Sequence, residues 1–146
     1  PLDGGGMNDD LIEVSWMVAE DEAMTKVVKK GKTTARPDWA HSVHVEVEGL
    51  WPDRWYWYQF KAGSEVSQVG RTRTMPLPGA MPDRLRFAFA SCQHYESGYY
   101  TAFEHMVRED LDLIVHLGDY IYEGAGKENR IRKHTGQEIF NYVEFI

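Results

Sequence analysis

The sequence predicts a two-part α/β chain, an antiparallel β-sandwich followed by the opening strands of a parallel α/β domain. Three observations predict it. Residues 11–74 alternate apolar and polar positions, residues 75–83 ("MPLPGAMPD") gather three prolines and a glycine, and residues 85–119 run apolar strand, helical spacing, apolar strand. Period-two alternation makes half-buried strands, the proline-rich stretch a linker, and the last pattern a βαβ unit. The domains are accordingly 1–78 and 79–146.

"IEVSWMV" opens the sandwich, with Ile12, Val14, Trp16 and Val18 on one face and Glu13 and Ser15 on the other. The charge run "KVVKKGK" reads as a solvated strand and turn rather than a phosphate groove. "HSVHVEVEG" sets Val43, Val45 and Val47 against His44, Glu46 and Glu48, a further antiparallel strand, and "RWYWYQFKAG" sets Trp55 and Trp57 against Tyr56, Tyr58 and Phe60. Leu50, Pro52 and Tyr56 resemble the corner of a fibronectin type III or immunoglobulin-like domain, in which the tyrosine hydroxyl returns to the upstream backbone. "VGRTRTMP" is the last strand. The aromatic wealth reads as sandwich core in preference to a ligand platform.

In the second part, "LRFAFAS" is a strand ending at Ser91. "SGYYTAFEHMVRED" places Tyr99, Phe103, Met106 and Val107 at helical spacing, with Ser97 as N-cap, and "LDLIVHLGD" is a buried strand bounded by Gly118. The tail "RKHTGQEIFNYVEFI" reads as a loop followed by a partly apolar helix. A parallel sheet is covered on both faces and needs more than two strands, so the second domain is expected to be incomplete.

Bulk properties narrow the function. A formal charge of −7 and a pI near 5.3 disfavour a surface that holds nucleic acid through its phosphates. One cysteine excludes an internal disulfide and leaves the compartment open. No apolar run approaches the roughly 18 residues of a membrane helix. The start, "PLDGGGMNDD", has neither the basic nor the apolar region of an export signal, so any such signal is expected to have been removed or lost.

Ligands of open α/β sheets bind beyond the carboxyl ends of the strands. Cys92 follows the first strand of the unit, and Asp119 and Tyr122 follow the second. A right-handed crossover brings these ends onto one sheet edge, where the three side chains can share a site. Thiolate, carboxylate and phenolate are three anionic donors, and a multivalent cation removes the cost of gathering them. Thiolate with phenolate favours ferric iron, and a carboxylate can bridge to a second ion, which suggests a mixed-metal centre. The same cysteine is also readable as a plain buried residue. His94 and Glu96 are near enough to touch substrate or the metal surroundings, with a solvent-facing loop role as the other reading. His116 reads as a buried histidine satisfied by a backbone carbonyl in preference to a residue orienting a ligand. Glu123 is readable as a hydrogen-bonding neighbour of the metals or as a loop cap, while Glu104 and His105 fall on the helix's solvated side.

"FAFASCQHYESGYYTAFEHMVREDLDLIVHLGDYIYE" closely resembles the start of the catalytic domain of PhoD-type alkaline phosphatases/phosphodiesterases. That family carries Ser-Cys-Gln ahead of a Gly-Tyr helix start, then Gly-Asp-Tyr-Ile-Tyr-Glu. The preceding part, with its "GRTRTMP" exit, resembles the family's N-terminal domain. The family belongs to the calcineurin-like metallophosphoesterases, whose usual Asp-x-His motif is absent here. Cys92 takes its place, and Tyr122 stands where the common Gly-Asp-x-x-Asp has its second aspartate.

The resemblance implies that residues 79–146 begin a four-layered metallophosphoesterase α/β domain, that Cys92 and Tyr122 bind Fe3+, and that Asp119 bridges it to Ca2+. It implies hydrolysis of phosphate mono- or diesters by a metal-activated water or hydroxide, with no protein nucleophile. The family's later ligands, an asparagine-containing motif and His and Asp residues, have no counterpart here. The chain thus resembles an N-terminal fragment whose partner is the remaining C-terminal part of the same enzyme. Secretion or a periplasmic location follows by resemblance, since the family is usually exported by the twin-arginine route. The alternative is a non-catalytic module whose aromatic sandwich recognises a wall polymer or protein partner. A third reading is one piece of a nicked enzyme.

Overall fold

Alternation builds the first half of the molecule into a sheet. The computed structural model describes residues 9–134, 136–138 and 140, and its chain divides into two units with the break between Met81 and Pro82. In the first unit β1 (Ile12–Ala19), β2 (Val27–Ala35), β3 (Trp55–Ala62), β4 (Glu65–Val66) and β5 (Gly70–Arg73) form one five-stranded sheet. Its order is β2-β1-β3-β4, with β5 also on β3, and every pairing is antiparallel.

The register places the apolar faces together. Trp16 lies between Gly31 and Phe60, Val18 lies opposite Tyr58, and Tyr56 lies opposite Thr72. Val14, Val18, Ala35 and Tyr56 are buried. Gly31 is required by close approach, because a Cβ there would come within 2.6 Å of the Trp16 indole. The Tyr56 hydroxyl accepts the backbone N–H of Trp51 at 3.0 Å, which is the upstream return expected of the corner.

The strand expected at residues 43–48 does not form. Val43, Val45 and Val47 are half-buried and His44, Glu46 and Glu48 exposed, as the alternation requires, yet the segment pairs with no strand. Val45 and Val47 instead line, with Trp16, Val18, Leu50, Tyr58 and Phe60, an apolar cavity of about 340 Å3 against the sheet. Alternation reports which side chains are covered; a strand also needs a neighbour for its backbone groups. Among the described residues the first unit is therefore one sheet with an extended segment over its apolar face, in place of the expected two-sheet sandwich.

The second unit is a strand–helix–strand unit. β6 (Phe87–Ala90) and β7 (Leu113–His116) pair in parallel, Phe87 opposite Leu113 through Ala90 opposite His116, with α1 (Thr101–Val107) in the connection. Asp112 locks the start of the pair, since its carboxylate accepts the Arg86 N–H and its own N–H donates to the Arg86 carbonyl, both at 2.9 Å.

The helix begins later than the sequence suggests. Ser97 closes a 3-10 turn at Tyr95–Ser97, and its hydroxyl lies 3.0 Å from His94 Nδ1, so it is not the N-cap. Tyr100 takes that position in the left-handed region, φ 59°, and leaves Tyr99 outside the helix. The expected burial of the sheet is also absent here. Phe87 and Phe89 of β6, Leu113, Ile114 and Val115 of β7, and Val107 of α1 are exposed. Of the tail's expected helix, residues 135, 139 and 141–146 lie outside the described residues.

Candidate metal centre

The in-phase ends of β6 and β7 deliver the site. Beyond the ladder, the Leu117 N–H donates to the Ala90 carbonyl at 2.8 Å and the Cys92 N–H to the Gly118 carbonyl at 3.1 Å. These two bonds carry the pairing past the strands and hold the two turns side by side. Both turns then enter the left-handed region, with φ 57° at Cys92, 122° at Gly118 and 52° at Asp119. Only glycine visits this region without a Cβ penalty, so two side-chain-bearing residues there are a local strain of the kind that gathers at functional sites.

Cys92, Asp119 and Tyr122 come together on one oxygen. The Cys92 thiol donates to Asp119 Oδ2 at 3.3 Å and the Tyr122 hydroxyl donates to the same atom at 3.4 Å. The second contact is long for an O–H···O bond, so the phenol is near the carboxylate without being tightly held by it. Tyr122 is 37 % exposed, yet it is pushed up to about 12, first by partial desolvation, then by its hydrogen bond with Cys92 and the charge of Asp119. The group is thus set against its own ionisation: a phenolate here would face the Asp119 carboxylate and the Cys92 thiol.

The neighbours differ in how they stand around this trio. The His94 ring lies 4.9 Å, centre to centre, from the Tyr122 ring. His116 meets a backbone group through one ring nitrogen, and not the expected carbonyl; its Nδ1 accepts the Gly118 N–H at 3.3 Å. That assigns its proton to Nε2, which is buried without a hydrogen-bond partner among the described residues. Glu123 is exposed. Glu104 pairs with Arg108 at 2.5 Å on the solvated side of α1, and His105 is exposed.

Glu96 overturns the solvent-facing reading. It is 2 % exposed, and its carboxylate accepts the Lys127 N–H at 2.9 Å. Its backbone carbonyl accepts the N–H groups of Ile131 and Arg132 at 3.1 and 3.3 Å. Arg132, which the sequence left in an undistinguished loop, donates from Nε to the Tyr95 carbonyl at 2.9 Å and lies over the rings of Tyr95 and Tyr100 at 4.4 and 4.0 Å. The aromatic density of "HYESGYY" was the available signal for such a cation–π seat.

The donor set fits a cation. Among the described residues no cluster of three or more His, Cys, Asp or Glu side chains is arranged to hold a metal. This trio counts as three donors only through its phenol, so Cys92, Asp119 and Tyr122 could together hold one cation. A cation bound against these donors would oppose the upward push on Tyr122.

Comparison with known proteins covers the same two units. The family described as "PhoD-like phosphatase, N-terminal domain" matches residues 3–76, and "PhoD-like phosphatase" matches residues 87–145. Alkaline phosphatase D of Bacillus subtilis (strain 168) is 51% identical over 150 aligned positions, which take in 99% of this chain and 26% of that protein. A solved structure described as "Structure of PhoD" superposes with a TM-score of 0.90 at 51% identity, covering 99% of this chain and 29% of the other. The chain thus spans about a quarter of the length of the curated relative. No helix among the described residues is long and apolar enough to cross a membrane. With one family profile covering more than half of its residues and a second matching the βαβ unit, the chain belongs to the PhoD-like phosphatase family.

Proposed function

We propose that this chain supplies the iron-binding half of a centre that hydrolyses phosphate mono- or diesters, with Cys92 and Tyr122 as ligands of Fe3+ and Asp119 bridging to Ca2+. The observation that carries the reading is the meeting of Cys92 Sγ and Tyr122 Oη on a single oxygen of Asp119. A bound cation pair supplies charge for the phosphate and acidifies a water, so that no side chain need act as nucleophile. The chain's own contribution is placement. The strand ends fix Cys92 and Asp119, the left-handed turns fix their backbones, and the His94 ring stands against Tyr122.

The remaining ligands are proposed to come from sequence of the kind that the curated relative has outside the quarter that aligns. That sequence is the expected covering of the open faces of β6 and β7. A secreted or periplasmic setting is part of the proposal, as is a small phosphate ester for substrate. The protein is expected to be violet or purple from a ferric–phenolate band, and Tyr122→Phe to remove the colour while iron remains measurable at reduced occupancy. Metal analysis with a visible spectrum decides it. A colourless, iron-free protein with full phosphatase activity contradicts the ligand assignment.

A further inference from the structure

The 3-10 turn Tyr95–Ser97 faces two structures at once. His94, which leads into it, has its ring 4.9 Å from the Tyr122 ring and its Nδ1 3.0 Å from the Ser97 hydroxyl. Tyr95 and Glu96 turn to the loop at residues 126–134. Glu96 makes three of the bonds between them, one through its carboxylate to the Lys127 N–H and two through its carbonyl to the N–H groups of Ile131 and Arg132. Arg132 returns from the loop to the Tyr95 carbonyl at 2.9 Å. The loop is drawn tight around the carboxylate. A Cβ on Gly126 would lie 3.7 Å from Glu96 Oε1 and only 2.3 Å from the His134 carbonyl, and His134 Nε2 is 3.9 Å from the same Oε1.

A buried carboxylate is costly unless its lone pairs are used. Here one is used by a backbone N–H of a loop that has no regular secondary structure. We infer that Glu96 is a positioning residue for the metal centre, fastening the 126–134 loop to the turn that sets His94 against Tyr122. It touches none of the proposed ligands and acts through His94. Loss of the carboxylate removes the tie at Lys127, leaves the backbone ties at Ile131 and Arg132, and so loosens the start of the loop and with it the turn that sets His94 against Tyr122.

This inference rests on the reading of Tyr122 as a metal ligand, and its test separates the two. The loop carries Lys127, Arg130, Arg132 and Lys133, so trypsin reads its fastening directly and without metal. In the full-length protein, Glu96→Ala is expected to speed cleavage within 126–134 about tenfold or more. It is expected to shift the visible band and to lower kcat by about 10- to 100-fold, the usual range for groups that orient ligands. KM should move much less. Glu96→Gln keeps an acceptor for the Lys127 N–H and is expected to stay within about twofold of the parent in all three readouts, the scale of one preserved hydrogen bond. Should Glu96→Ala unfold the protein, Gly126→Ala, whose Cβ collides with the His134 carbonyl at 2.3 Å and comes no nearer than 3.7 Å to Glu96 Oε1, gives the same readouts. Parent-like trypsin resistance in Glu96→Ala, or a loosened loop with an unchanged band, overturns the inference. A parent protein without iron overturns the ligand reading instead and leaves the trypsin result to decide the fastening.

Discussion

At the scale of single residues, two of the proposed ligands combine their chemistry with a backbone conformation that six other non-glycine residues share. Cys92 and Asp119 both occupy the left-handed region, φ 57° and 52°, where a Cβ costs about 1–2 kcal/mol. Cys92 is exposed, so its side chain returns little packing energy for that strain. Replacing it by glycine removes the strain and adds chain entropy to the unfolded state. The metal-free Cys92→Gly protein is therefore expected to be as stable as the parent or up to about 1 kcal/mol more stable, the residue-scale gain of relieving such a φ, while losing iron binding. Denaturant midpoints measured beside metal content check this, and a clear loss of stability would assign Cys92 a packing role. The sequence displayed the identities of these residues but not their conformation. Nothing in "ASCQ" or "LGDY" distinguishes a left-handed cysteine or aspartate from an extended one, because the strain is imposed by the parallel strand ends. Glu96 was illegible for a related reason: its burial comes from a loop some thirty residues on, and no local pattern announces such a partner.

At the scale of elements, alternation was a sound guide to faces and a poor guide to pairing. The faces of β1 and β3 fall where the alternation sets them, Trp16 and Val18 with Tyr58 and Phe60. The parallel pair β6–β7 was readable from two apolar runs separated by a helical pattern. Residues 43–48 show the limit, since their valines are covered and yet no strand lies beside them. The start of α1 shows another, because the cap motif at Ser97 was engaged by His94. The best-anchored local feature is the corner at Tyr56, which is 1 % exposed and bonded to the Trp51 N–H. Tyr56→Phe removes that acceptor with almost no change of shape. A loss of about 1 kcal/mol in the first unit is expected, the net value of one part-buried hydrogen bond. Equilibrium unfolding followed by tryptophan fluorescence checks it, with the denaturant slope unchanged; no loss at all would mean that water replaces the hydroxyl.

At the scale of the molecule, the two units differ in how much of their apolar surface is covered. The first keeps Val14, Val18 and Tyr56 out of water, whereas among the described residues the second leaves Phe87, Phe89, Leu113, Ile114 and Val115 of its two strands exposed. Such a sheet is marginal by itself. The family was legible because its two motifs are local in sequence and carried whole within the chain, and the covering of the second unit was not, because the part of the relatives that aligns is about a quarter of the protein.

The two bonds that carry β6 and β7 past their ends have a consequence for the order of events. Cys92 and Asp119 are separated by 27 positions, a short loop to close during folding. If Cys92 and Tyr122 hold iron as proposed, their part of the centre can take shape early in folding, and thiol and phenol would meet a cation before ligands more distant in sequence do. Iron would be selected by timing as well as by affinity. The 146-residue chain is accordingly expected to take up ferric iron and to leave calcium in solution. Equal uptake of both ions in equilibrium dialysis would remove the temporal argument.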